Sequence, residues 1–439
     1  MSFSTPENAE YAAVVIRVPA AIPLAGRDRI VGIPIYGRQA IVSKDEYAPG
    51  DLALYFGPET QLSQAYTRTN NLFRDATLNA DPGKTGYFEP NRRVRAIKFA
   101  GHRSDAMLMP MHSLLPLGID PTRFSVGDIF DTVDGIEICR KYTIPRKAKA
   151  ANVQAKRDDG RVSVLHFPQH VSTHNWWRER NIVDDYDQII VTQKLHGTSL
   201  RAGRVPVKLD APTGRRARLA LWAARRYGIP VQTHAYGPVH GSRRVIKSVE
   251  TEQNHYYGVD ADGVDLWTRY GSELDNRLPD GVIVYGELVG WVDRDTPIQR
   301  GYTYDLLPGQ AQLFIYRVTR INEQGYQTDL SWDQVVEFCG TVGLNAVPLL
   351  WRGLARDFNV DEWMDTRYHD LDHLVQALPL SDPKLPDEGV VIRRDGLTPT
   401  LLKAKSPQFL QHETKLLDAG DADIESAESD AAVAEPAAA

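Results

Sequence analysis

The sequence predicts an α+β protein, and three observations carry that expectation. Short β-branched or aromatic runs, separated by Gly, Pro and Asp turns, fill residues 8–142. Longer strand-like runs alternate with apolar residues at helical spacing across 162–416. A polar, basic stretch lies between the two.

In the first part, "YAAVVIRV", "RIVGIPI", "QAIVS", "DLALYF", "RRVRAIKFA" and "EICRKYTI" read as strands, and their spacing predicts a small sandwich or barrel over residues 1–143. "IPRKAKAANVQAKRDDGR" (144–161) has almost no large apolar residue and reads as a linker. In the second part, "DQIIVTQKL", "GVIVYGELVGW", "AQLFIYRVTRI", "EGVVIRR" and "TLLKAKS" read as strands. "RRARLALWAARRYG" (215–228) and "WDQVVEFCGTVG" (332–343) read as helices. Residues 417–439 are acidic, with too little apolar surface to order themselves, and read as a disordered tail.

The bulk numbers exclude several classes. A chain of 439 residues exceeds one ordinary core. Its net charge of −6 means that a nucleic-acid site has to be a local basic patch. The only cysteines, Cys139 and Cys339, are too few and too far apart in sequence for a disulfide framework or cysteine zinc site. "MSFSTPENAEYAAVV" lacks a basic region ahead of an apolar core, and no apolar run approaches bilayer length. A cytoplasmic protein is expected. "DPGKTGY" (81–87) imitates a phosphate loop, but Leu78 stands where that loop needs glycine.

The chemistry-bearing residues lie in the second part. Lys194, in "TQKLHGTSL", alone is an ordinary strand-end charge. Downstream come "GSRR" (241–244), "YGELVGW" (285–291), "LFIYRV" (313–318), "DEGVVIRR" (387–394) and "LLKAKSPQF" (401–409). Glu287 and Glu388 each adjoin a glycine, a residue that in strands often marks close approach of a ligand or backbone. Two carboxylates plus substrate phosphates can hold Mg²⁺. Lys403 and Lys405 alternate with Ala404, so on a strand they share a face and can grip a polyphosphate. Nearby cations also lower the pKa of a lysine that must be neutral to attack. An aromatic of "LFIYRV" can stack on a base. This set suits attack of a lysine on a nucleotide α-phosphate, with pyrophosphate expelled.

"KLHGTS", "GSRR", "YGELVG", "LFIYRV", "DEGVVIRR" and "LLKAKS", in that order, resemble the motifs of the covalent nucleotidyltransferase superfamily of polynucleotide ligases and capping enzymes. His196 resembles the RNA ligase 2-like branch. The first part, with "RVRAIKFAGHRSDAMLMPMHSLLPLG" (93–118), resembles an OB-fold module ahead of a ligase domain. The resemblance implies an N-terminal OB-like β-barrel followed, over 162–416, by an ATP-grasp-like ligase domain of antiparallel sheets and helices.

It further implies an ATP-dependent RNA ligase using Mg²⁺ or Mn²⁺. Lys194 would form lysyl-AMP. Lys403 and Lys405 would contact the α-phosphate. Gln193, Leu195, His196, Gly197, Arg243, Glu287, Glu388 and Tyr316 would surround the nucleotide, with Phe314 the alternative stacking ring. Glu287 and Glu388 would also meet the metal. Gln193 departs from the glutamate common before the lysine, and Arg317 from the acidic residue common after the aromatic strand. Arg95, Lys98 and Arg103 form the candidate RNA surface. The expected partner of this monomer is RNA, as nicked duplex or RNA–DNA hybrid, and no membrane. The rivals are a DNA ligase or other polynucleotide nucleotidyltransferase, and a non-catalytic nucleic-acid-binding or interaction protein. DNA ligases and capping enzymes usually carry the OB module after the catalytic domain, where this chain has little room.

Overall fold

The structure is a computed structural model that describes residues 6, 8–144, 161–210, 214–229, 231–243, 245–247, 264–368, 378–381 and 385–420, without the side chains of 225 and 365–368. Most of the basic stretch 144–161 and of the acidic tail lies outside the described residues.

The first part is layered and not a barrel, which corrects the OB-like expectation. Its main sheet has four strands in the order Ile129–Phe130, Ala13–Arg17, Leu52–Phe56, Met107–Pro110, and no described pairing closes it. A separate three-stranded meander (Ile22–Pro23, Ile30–Ile35, Arg38–Ser43) and short hairpins surround it. The 93–118 stretch gives the hairpin Ile97–Phe99/His102–Ser104, the sheet-edge strand Met107–Pro110 and a 3-10 helix Met111–Leu117.

The reason is burial on both faces. Ala13, Val15, Leu54 and Phe56 pack in one core with Leu114 and Ile119. Val14, Ile16, Ala53 and Tyr55 pack in another with Ile33, Ile35 and Val42 of the meander. A small barrel wall buries only its inner face; this sheet is a central layer.

The second part is two sheets around a shared core. The first runs His174–Asn175, Thr400–Lys405, Gly389–Arg394, Gln188–Lys194, Leu349–Leu354. The second runs Ile246–Lys247, His234–Gly241, Thr198–Lys208, Val282–Gly290, Ala311–Ile321, Gln327–Asp329, with Asn345–Ala346 joining Ala311–Ile321 in parallel. Ile190 of the first sheet meets Leu200, Val284, Leu288 and Ile315 of the second in one hydrophobic cluster. Helices form at Arg215–Arg226 and Trp332–Val342, where the apolar spacing predicts them. Ser331 and Gln334 make a capping box at the start of the latter, and Gly343 ends it in the left-handed conformation. Among the described residues, no helix is long and apolar enough to cross a membrane.

The two parts are tied by a buried guanidinium. Arg93 lies 2.8 Å from Glu59, donates to the Thr414 carbonyl at 3.2 Å and pairs with Asp418. Thr414, on the C-terminal helix Pro407–Asp418, also donates to Glu59 at 2.8 Å and accepts from the Ala96 N–H at 3.1 Å. Removing one partner from such a cluster leaves an unpaired buried charge. Arg93→Met is therefore expected to cost about 3–5 kcal/mol, read from urea unfolding. An unchanged midpoint would show that the tie contributes nothing.

Candidate active site

Strand pairing assembles the site. Lys194 lies opposite Gly389, and Gly389 opposite Lys405. Paired residues share a sheet face, so the two lysines flank a position that carries no side chain. Gly389 cannot be replaced freely. Its φ is +141°, and a Cβ there would stand 2.0 Å from the Ala404 carbonyl oxygen. Lys403, two residues before Lys405, opposes Val391 on the same face. The other face, with Val191, Ile392, Leu402 and Ala404, is core.

The carboxylate of Glu388 gathers the charges. It is 4% exposed, 2.9 Å from the Lys194 ammonium, 3.6 Å from Lys405 and 3.8 Å from His196 Nδ1. Burial pushes its pKa up, but Lys194, Lys405 and His196 outweigh that and hold it below the usual range. Burial likewise works against charge on Lys405, yet Glu413 at 3.2 Å and Glu388 raise its pKa well above the ordinary lysine value. Lys403 pairs with Glu10 at 2.5 Å.

The turn after Lys194 is held by Glu287 of the second sheet and by the loop between Val282–Gly290 and Ala311–Ile321. The His196 N–H donates to the Tyr304 hydroxyl at 2.7 Å, and the Gly197 N–H donates to Glu287 at 3.0 Å. The Gly197 carbonyl accepts from Gln299 at 2.7 Å. A Cβ on Gly197 would stand 2.3 Å from the Leu288 carbonyl oxygen, so only glycine fits. The His196 ring meets Tyr302 and Phe409 edge-on at 4.8 and 5.0 Å.

The remaining predicted residues divide. Leu195 is buried in the central core. Gln193 projects to the face opposite Lys194, where its amide bonds both the N–H and the carbonyl of Leu380. Phe314 lies opposite Glu287 but is packed in the core. Tyr316 is half-buried, with the His170 ring edge-on at 4.9 Å. A bulge between Tyr285 and Gly286 breaks the alternation that would have ordered these two rings. Arg243 is half-buried in the turn between His234–Gly241 and Ile246–Lys247. Arg317 is fully buried, 2.5 Å from Asp329 and stacked over Tyr285. Lys98 and Arg103 face each other across a hairpin, and Arg95 lies 3.6 Å from Asp418.

The donor set suits a divalent ion held largely by phosphate and water. Glu287 and Glu388 both border the 194–197 turn, and among the described residues no group of three ligating side chains occurs. Sequence reading missed Glu10, Glu413, Gln299, Tyr302 and Tyr304. Only Glu413, eight residues after Lys405, had a nearby motif to signal it.

Residues 187–405 match the RNA ligase family model. No curated protein sequence matches the chain. Among solved structures, a Naegleria gruberi RNA ligase with PPi superposes at TM-score 0.58 and 16% identity, covering 92% of this chain and 99% of that one. A variant of that ligase with ATP and Mn gives 0.57 and 15%, covering 91% and 98%. Another, with AMP and Mn, gives 0.57 and 16%, covering 92% and 98%.

The Glu10 contact gives a pH test. Burial opposes its charge, but Lys403, Lys405 and Arg38 together pull its pKa from 4.5 to about 2. A depressed folded-state pKa stabilises above about pH 4.5, and that stabilisation is lost as pH falls through about 2. Glu10→Gln is expected to lower unfolding stability at neutral pH, with the gap to the parent closing between pH 4.5 and 2. A gap independent of pH would refute the assignment.

Proposed function

We propose, from the premise that residues 187–405 are an RNA ligase domain, that this protein is an ATP-dependent RNA ligase that seals 3′-hydroxyl and 5′-phosphate ends. The observation that carries the reading is the Lys194–Glu388–Lys405 cluster on one sheet face inside that domain.

Lys194 Nζ, once deprotonated, attacks the α-phosphate of ATP. A nitrogen–phosphorus bond forms, the bond to the bridging oxygen breaks, and pyrophosphate leaves. A 5′-phosphate oxygen of the RNA then displaces Lys194 from the adenylate. The 3′-hydroxyl attacks that phosphate last, releasing AMP. Lys403 and Lys405 offset charge on the phosphates, and holding the reactants in line supplies much of the rate. Glu287 and Glu388 would hold Mg²⁺ or Mn²⁺, which neutralises phosphate charge when bound. Gly197, His196 and Arg243 would line the nucleotide site, with Tyr316 or Phe314 against adenine. Gln193 and Leu195 would act through the backbone they fix.

Residues 1–143 would bind nucleic acid, with Arg95, Lys98 and Arg103 on the RNA side, and 162–416 would carry the chemistry. A monomer in the cytoplasm, acting on nicked RNA duplex or an RNA–DNA hybrid, fits this reading. The two cysteines are both buried and free, in keeping with a reducing compartment.

Incubation with α-labelled ATP and Mg²⁺ or Mn²⁺ is expected to label the protein, and Lys194→Ala to abolish the label. Glu388→Gln is expected to reduce labelling by roughly 100-fold. Equal labelling of Lys194→Ala would sink the assignment. A panel of nicks with ribose or deoxyribose on each side then separates RNA from DNA sealing.

A further inference from the structure

Residues 198–247 contain eleven Lys and Arg and one acid, Asp210, in a chain of net charge −6. The segment folds as the long hairpin Thr198–Lys208/His234–Gly241, with the helix Arg215–Arg226 inserted at its far end. Two of its arginines are committed internally. Arg201 is buried against the Phe167 and Ser242 carbonyls, and Arg204 pairs with Asp280 at 2.8 Å.

The helix is different. Arg215, Arg216, Arg218 and Arg226 are exposed, and among the described residues none pairs with a carboxylate. At 100° per residue, Arg215, Arg218, Leu219, Trp222 and Arg226 fall within an arc of about 100°. Leu219 is 65% and Trp222 62% exposed. Exposed arginines interleaved with an exposed indole, and no acid anywhere on the helix, are the chemistry that grips a phosphate backbone and stacks on a base.

We propose that this face of helix Arg215–Arg226 is an RNA-docking surface, engaging the substrate away from the break that Lys194 seals. The inference rests on the ligase reading for what the RNA is, and on the helix itself for where it binds. Thr198 begins beside the site and Lys208 ends the strand, so the helix base stands roughly 30 Å away at about 3.3 Å per residue. That distance is roughly nine phosphates of one strand at about 3.4 Å each. The surface therefore needs a duplex arm of about that length.

The test measures binding of nicked duplex RNA by anisotropy across a salt series, with lysine adenylylation in parallel. The triple variant Arg215→Gln/Arg218→Gln/Arg226→Gln keeps good helix formers and touches no nucleotide-site residue. It is expected to adenylylate normally, to bind RNA at least roughly tenfold more weakly, and to flatten the log K–log salt slope by about 2–3. Trp222→Ala is expected to weaken binding with the slope unchanged. Shortening the duplex arm to five base pairs should erase the difference between parent and triple variant.

Unchanged RNA affinity and slope in the triple variant, with adenylylation intact, overturns the proposal. So does a parent that binds phosphatidylserine vesicles through these arginines while RNA binding is unaffected, because the face is then a membrane surface. A parent that forms no lysyl-adenylate refutes the ligase reading instead, and leaves RNA docking to be decided by the anisotropy alone.

Discussion

The site depends on keeping one buried carboxylate ionised. Taking Glu388 out of water costs several kcal/mol, and an apolar residue would pack there more cheaply. The charge is retained because Lys194, Lys405 and His196 converge on it. They converge because Gly389 leaves the middle of their row empty and takes a backbone shape no other residue adopts easily. The same contact restrains the chemistry. An ammonium beside a carboxylate is a poor nucleophile, so on the ligase reading Glu388 would have to change partner before Lys194 could attack. On that reading, the nucleotide phosphates would compete for the Lys194 ammonium and a divalent ion for the Glu388 carboxylate.

Lys403 and Lys405 are both met by anions of the protein, Lys403 by Glu10 and Lys405 by Glu413. Glu413 sits on the helix that follows the lysine strand, while Glu10 comes from nearly four hundred residues upstream. Arg178 strengthens this seam by donating to the Ala9 carbonyl at 2.6 Å. Charge balance at the site is thus shared between the two parts of the chain. A change in the N-terminal segment alters the surroundings of Lys403 without touching the strands that carry Lys194 and Lys405.

What was legible in the sequence follows from strand alternation. Lys403 and Lys405 had to share a face, and the ordered motifs brought Lys194, Glu287 and Glu388 to the same turn. The same alternation, applied one residue earlier, turns Gln193 away from Lys194. The barrel expectation failed on a visible signal as well. "AAVVI" is an unbroken apolar run, and such runs belong to strands buried on both faces. The choice between Phe314 and Tyr316 was not legible, because a bulge in the neighbouring pairing shifts their faces. Glu10 was not legible either, since no local pattern records a contact spanning 393 residues.

Two buried arginines hold the strands of the two sheets in place. Arg317 joins neighbouring strands of the second sheet through Asp329. Arg393 extends from the first sheet, on the same face as Lys194, and donates to the Leu330 carbonyl at 2.6 Å and the Tyr316 carbonyl at 3.4 Å. Asp395 holds its Nε at 2.6 Å. One planar guanidinium therefore sets the distance between the lysine strand and the aromatic strand. A lysine at 393 would keep the charge but could not make the same fork of bonds. On the ligase reading, catalysis by positioning would need that separation fixed before substrate arrives, because sheets free to part would have to order themselves during the reaction. Arg317 stands where the resemblance leads one to expect an acidic residue, and it stiffens the sheet instead, so on the ligase reading the nucleotide would be met by the turn, the carboxylates and the rings.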